Sequence, residues 1–144
     1  MAQDWNEYAD RLQKQLPAAP ERLLDGYVRY MPWVSIIFGA IGVLAGLALL
    51  LLGAVVAPLF LLGGASGVNG GFQFFISIFS LLISGGLGVA GGYLMLQRSL
   101  TGWWLLALSL IVDALGALLT GNIFNVLVLA LVAYVHLSVK PRYS

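Results

Sequence analysis

Between Trp33 and Val139 the chain runs through long apolar stretches separated by short breaks, and the breaks set the elements. A bilayer takes about 20 apolar residues per helix, so a stretch of this length holds several crossings. The first, 33–57, ends at Pro58 and the glycine-rich segment Gly63-Gly64-Ala65-Ser66-Gly67-Val68-Asn69-Gly70-Gly71. The second, 72–96, ends at Gln97-Arg98-Ser99, and the third, 102–119, at Thr120-Gly121-Asn122, which leads into a fourth, 123–139. Glycine and asparagine tolerate positive φ and read as turn formers. The last two stretches, at about 18 and 17 residues, stand near the short limit for a crossing, with one re-entrant hairpin as the competing reading. Trp103-Trp104, suited to an interfacial aromatic belt, favours full crossings. The pattern predicts an all-α fold, an integral membrane four-helix bundle with an amphipathic N-terminal segment.

That segment, 1–32, is patterned differently. Trp5, Tyr8, Leu12 and Leu16 recur at helical spacing, and Pro17 and Pro20 interrupt them. A second short helix is expected from Pro20, with Leu23, Leu24, Tyr27, Val28 and Met31 apolar against Glu21, Arg22, Asp25 and Arg29. A helical pair lying on the cytoplasmic interface follows, compatible with a docking surface for a partner protein. Five acids and the lack of an apolar core before residue 33 argue against a cleaved signal peptide. The mixed charge argues against a polybasic lipid-binding cluster. Residues 33–139 then form the transmembrane domain and 140–144 a cytoplasmic tail.

Composition agrees. Apolar residues make up 60% and charged ones 9%, where a soluble domain carries about 25% charge. Of the 7 basic and 6 acidic residues, nine charges fall within the first 32 positions, and between Trp33 and Val139 only Arg98 and Asp113 are charged. With four crossings, all the basic residues (Arg11, Lys14, Arg22, Arg29, Arg98, Lys140, Arg142) share one side, while the connections 58–71 and 120–122 carry no charge. The positive-inside bias puts both termini in the cytoplasm. With no Cys there is no disulfide, thiolate metal site or thiol nucleophile, and a single His gives little for a triad or a metal centre. A net charge of +1 offers no footprint for nucleic acid. No catalytic pair, metal site or cofactor is expected.

Helices in lipid pack through small residues and polar contacts, and the first three stretches carry such stripes. These are Ser35, Gly39, Gly42, Gly46 and Gly53 in the first, including a GxxxG at Gly42–Gly46; Ser80, Ser84, Gly88 and Gly92 in the second; and Ser109, Asp113, Gly116 and Thr120 in the third. Gly85-Gly86 and Gly91-Gly92 add tight contact or flexibility. The fourth stretch is mostly Val and Leu and is expected to face lipid or an apolar partner.

Asp113 lies ten residues from Trp103, about 15 Å along a helix and so near the midplane. An ionised carboxylate there costs about 2.5–3.5 kcal/mol on insertion scales. It must be protonated, paired or wetted. Ser109 is one turn away, and Tyr134 in the fourth stretch is within prospective reach. Two readings stand: a proton- or cation-binding site, or a hydrogen-bonded contact between helices. His136, one turn before Lys140, reads as an interfacial anchor or as the single ligand of a haem or chlorin. Asn122 and Asn125 read as a helix cap and a packing residue.

The pattern Gly92-Tyr93-Leu94-x-Leu96-x-Arg98, then Gly102-Trp103-Trp104, a short apolar hairpin and the basic end Lys140-Pro141-Arg142 resembles many small bacterial four-span membrane proteins, over residues 85–144 at most. The resemblance implies a bacterial inner (cytoplasmic) membrane and carries no functional residue. Two functions are expected from these features. One is a non-catalytic accessory or scaffold subunit that packs against other membrane subunits or a second copy of itself. The other is a small proton- or cation-coupled transporter or channel using Asp113.

Overall fold

Nothing between Glu21 and Leu62 supplies a helix stop strong enough to outweigh the apolar run, and the chain forms one helix there, α1 (Glu21–Leu62, 42 residues). The structure, a computed structural model, describes residues 19–143 together with Glu7, Arg11, Leu12 and Gln15. The Trp5, Tyr8, Leu16 face expected before Pro17 lies outside the described residues. At 1.5 Å per residue α1 is about 63 Å long, about twice a hydrocarbon core. The separate short helix expected from Pro20 is therefore the first part of α1. Pro32 and Pro58 both lie inside it. Proline's φ is already helical; each ring removes one N–H, and the intact turns on either side carry the helix through.

The glycine-rich segment expected as a connection is helical instead. Only Gly63 separates α1 from α2 (Gly64–Leu96, 33 residues), and Gly64 takes the reversal with φ +60°. A Cβ on Gly67 would overlap the Phe60 carbonyl oxygen, and Gly71 faces the Phe60 ring. These glycines let the first turns of α2 lie against the last turn of α1, so they serve close approach rather than a loop.

At the other end of α2, Arg98 adopts a left-handed φ of 59°. The Arg98 and Ser99 amides return to the carbonyls of Met95 and Leu94 at 3.0 and 3.1 Å, closing the helix as a C-terminal cap. Ser99 then caps α3 (Leu100–Leu119, 20 residues), its hydroxyl accepting from the Thr101 amide at 3.2 Å. Gly121 turns the chain, and Asn122 caps α4 (Ile123–Ser138, 16 residues) by accepting from the Asn125 amide at 3.0 Å. A 3₁₀ turn at Lys140–Arg142 follows. The described residues contain helices and no strand. Three of the helices, α1 to α3, are long and apolar enough to cross a membrane. α4, at about 24 Å, is shorter than a hydrocarbon core of about 30 Å.

α2 is the central helix, antiparallel to α1 on one side and to α3 on the other. The buried positions of α1 are Val28, Pro32, Ser35, Gly39, Gly42, Gly46 and Gly53, one stripe at spacings of three, four and seven. Away from the turn at Gly63, the two helices come closest at Gly39 and Gly85. A Cβ on Gly39 would stand 2.6 Å from the Gly85 oxygen, and one on Gly85 would stand 2.8 Å from the Gly39 oxygen. Gly92 meets the Pro32 carbonyl in the same way, and Gly91 and Gly102 bring α2 onto α3 backbone to backbone. Gly116 abuts the Ser80 hydroxyl. Within the GxxxG, Gly46 is confined only by the Leu82 side chain, and a Cβ on Gly42 would meet Leu81 at an ordinary 3.4 Å. The tight crossing is thus one turn away from the sequence motif. Gly85→Ala is expected to destabilise the protein by about 1–3 kcal/mol, whereas Gly42→Ala leaves stability nearly unchanged; thermal unfolding in mild detergent reads both.

Candidate functional site

Two polar clusters are built on this frame. The first lies inside the bundle. Ser109 and Asp113 are four residues apart on α3 and therefore share a face. The crossing of α1 on α2 brings Ser84 and Ser35 opposite them. The Ser109 hydroxyl donates to the Ser84 carbonyl at 3.0 Å, an interhelical bond of a kind that contributes about 0.6 kcal/mol on average in membranes. The Ser84 side chain faces the Asp113 carboxyl. Ser35 is only 7% exposed, and its hydroxyl oxygen is buried with no hydrogen-bond partner among the described residues. Ser77, Ser138 and Thr120, by contrast, each bond a carbonyl of their own helix. Ser35, Ser84, Ser109 and Asp113 together line a cleft of about 310 Å³ whose other walls are apolar. Asp113 and Ser109 are thus brought together, with Ser84 from the small-residue stripe. Tyr134 does not line this cleft, and its carbonyl accepts the Ser138 hydroxyl at 2.9 Å. Ser80 bonds the Val112 carbonyl at 3.4 Å, one turn further along the same seam.

The second cluster closes the end of the bundle where both chain ends meet. His136, on the last turn of α4, is 1% exposed and stacks on Trp103, with ring centroids 4.8 Å apart and planes 6° from parallel. The Trp103 indole donates to the His136 carbonyl at 2.9 Å, and His136 Nε2 bonds the Trp103 carbonyl at 3.0 Å. A carbonyl only accepts, so Nε2 carries the proton and Nδ1 is the acceptor. The Tyr27 hydroxyl from α1 donates to Nδ1 at 3.0 Å. Ligation of a haem or chlorin needs one of these nitrogens, and in this arrangement both are engaged. His136 is a clamp joining α1, α3 and α4, a role its place near the chain end did not reveal. Around it, Val28, Met95, Leu106 and Val139 fill the core, Lys140 stands 5.9 Å from the Trp103 ring, and Arg142 pairs with Asp25.

Tyr143 finishes this cluster, buried, bordering Tyr27 and Arg98, its hydroxyl without a partner among the described residues. Burial pushes that hydroxyl above its ordinary value of 10.0, and the Arg98 charge opposes the shift. A raised value in the fold means the neutral form is the one held. The stabilisation is complete below the ordinary value and lost as pH rises through the raised one. Tyr143→Phe removes an unsatisfied polar atom, so its melting temperature at pH 7 is expected to equal or exceed that of the native chain. Melting curves from pH 9 to 11 should show the variant losing less stability. No known protein family, curated protein or solved structure matches the chain.

Proposed function

We propose that the protein is a non-catalytic subunit of a larger membrane complex, crossing a bacterial inner membrane four times with both termini in the cytoplasm. The observation that carries the subunit reading is the state of α4. Of its 16 residues only His136 is buried. Below the His136 clamp α4 stands off from α3, leaving an apolar cleft of about 400 Å³ lined by Ala107, Ala114, Ala130 and Ala133 among larger side chains. Alanines at such a face let another helix backbone approach closely, which suits a transmembrane helix of a partner subunit. Leu12 reaches the same cleft.

The topology is supported by the clamp and by charge. Tyr27, Trp103 and His136 meet at one end, so the start of α1, the start of α3 and the end of α4 lie together. The basic residues Arg98, Lys140 and Arg142 belong to that end, and the opposite turns at Gly63 and Gly121 carry no charge. The positive-inside bias then makes the clamped end cytoplasmic.

The chain has no native Cys, so single cysteines report topology directly. Gln97→Cys is expected to react with a membrane-impermeant maleimide only from the cytoplasmic side, and Ser66→Cys only from the outside; the reverse pattern, or the same side for both, would sink the topology. For the subunit reading, purification in mild detergent should give a second membrane protein at fixed stoichiometry, and Ala114→Leu with Ala133→Leu should release it. A lone homo-oligomer unaffected by those substitutions would replace this reading with self-assembly.

A further inference from the structure

The polar cleft inside the bundle has a chemistry that the subunit reading does not use. Its charged and polar groups are one carboxylate and three hydroxyls, and no basic side chain lines it. Ser109 spends its hydrogen on the Ser84 carbonyl, which leaves its oxygen as an acceptor. Ser35 is more than nine-tenths buried, lines the cleft, and has an unpartnered hydroxyl, although a serine in a helix can bond the carbonyl one turn back. A buried polar atom left unpaired is destabilising. Asp113, Ser109 and Ser35 thus present oxygens from two helices toward one space, with an acid that no basic residue of the cleft pairs. The site asks for a cationic donor.

The mouth says which kind. The exposed residues of its lining are Val34 and Phe38, 41% and 68% exposed on α1. In a membrane-embedded chain those residues meet hydrocarbon. An inorganic ion arriving there would shed its water for too few oxygens, whereas an organic cation with an apolar body enters from the lipid. We propose that this cleft binds a lipid-soluble primary ammonium compound, its three N–H donors directed to Asp113, Ser109 and Ser35 and its apolar part between Val34, Phe38 and Leu110. The cleft's volume of about 310 Å³ suits a small ligand, since ligand pockets start at about 300 Å³. The inference needs the chain to be in a membrane and is independent of the subunit reading.

The test is equilibrium binding of tritiated 1-aminoadamantane to the full chain in nanodiscs, with empty nanodiscs as baseline. Saturable binding is expected. Asp113→Asn should weaken it more than about ten-fold, and Ser35→Ala about ten-fold, the size of a hydrogen bond to a charged group. Ser35→Ala removes a hydroxyl that bonds nothing, so folding is undisturbed and this variant decides even where Asp113→Asn does not assemble. Gly88→Ala is a steric probe: its Cβ would stand 3.5 Å from the Ser35 carbonyl oxygen and 4.0 Å from the Ser109 hydroxyl, ordinary contacts that add a methyl between the two serines. It should weaken binding while leaving the melting temperature in place. No saturable binding, equal affinity in native chain and Ser35→Ala, or equal affinity for the neutral 1-adamantanol would each overturn the proposal. Displacement of the amine by millimolar NaCl would overturn it in favour of an inorganic-cation site.

Discussion

Inside a bilayer the lipid tails are as apolar as leucine, so burying apolar surface between helices yields almost nothing, and association depends on how closely backbones approach. Here, away from the turn at Gly63, the closest approach between α1 and α2 is at Gly39 and Gly85, where each glycine faces the other's carbonyl and neither leaves room for a Cβ. That crossing sets the rest. It puts Ser35 beside Gly88, and Gly88 beside Ser109. With α3 drawn onto α2 at Gly91 and Gly102, Ser109 comes within bonding distance of the Ser84 carbonyl. The polar cleft is a consequence of glycine packing on either side of α2. A wider crossing would separate its serines.

The two clusters show two ways of handling polarity at different depths. At the clamped end, polar groups satisfy one another: the indole and imidazole exchange bonds with each other's carbonyls, and tyrosine completes the imidazole. The stack also couples α3 to α4 where few other contacts do. The clamp grips the last turn of α4, and the other residues of the helix are half-buried or exposed. The clamp positions α4 without packing it, which is why an apolar cleft remains alongside.

Much of the architecture was legible in the pattern of residues. Helical class, the turns at Gln97-Arg98-Ser99 and Thr120-Gly121-Asn122, and the small-residue faces follow from spacing, because period and turn chemistry are local. What was not legible depends on partners far along the chain. The glycines at 64–71 have the composition of a loop, and only the presence of Phe60 opposite Gly67 and Gly71 turns them into a helix face. Pro58 looks like a stop, yet a membrane helix tolerates proline where its surroundings satisfy the freed backbone group. His136 seemed an interfacial residue because its stacking partner lies 33 positions away. At the Asp113 site, spacing alone joined Ser109 to Asp113, while Ser35 stood on the stripe of α1 with no sign that it would face α3.

The energetics of Asp113 bear on what the cleft is for. A carboxylate at a helix centre costs about 2.5–3.5 kcal/mol on insertion scales, and an interhelical hydrogen bond in a membrane returns about 0.6 on average and at most about 1.7. A single serine facing Asp113 therefore does not offset the cost of placing a charge there. If packing were the sole requirement, an asparagine or serine would bond Ser84 without that cost, and Ser35 could turn its hydroxyl to its own helix as Ser77 and Ser138 do. Asp113 faces the Ser84 side chain but no basic group, and the Ser35 hydroxyl has no partner among the described residues. A cationic donor in the space between them resolves both at once.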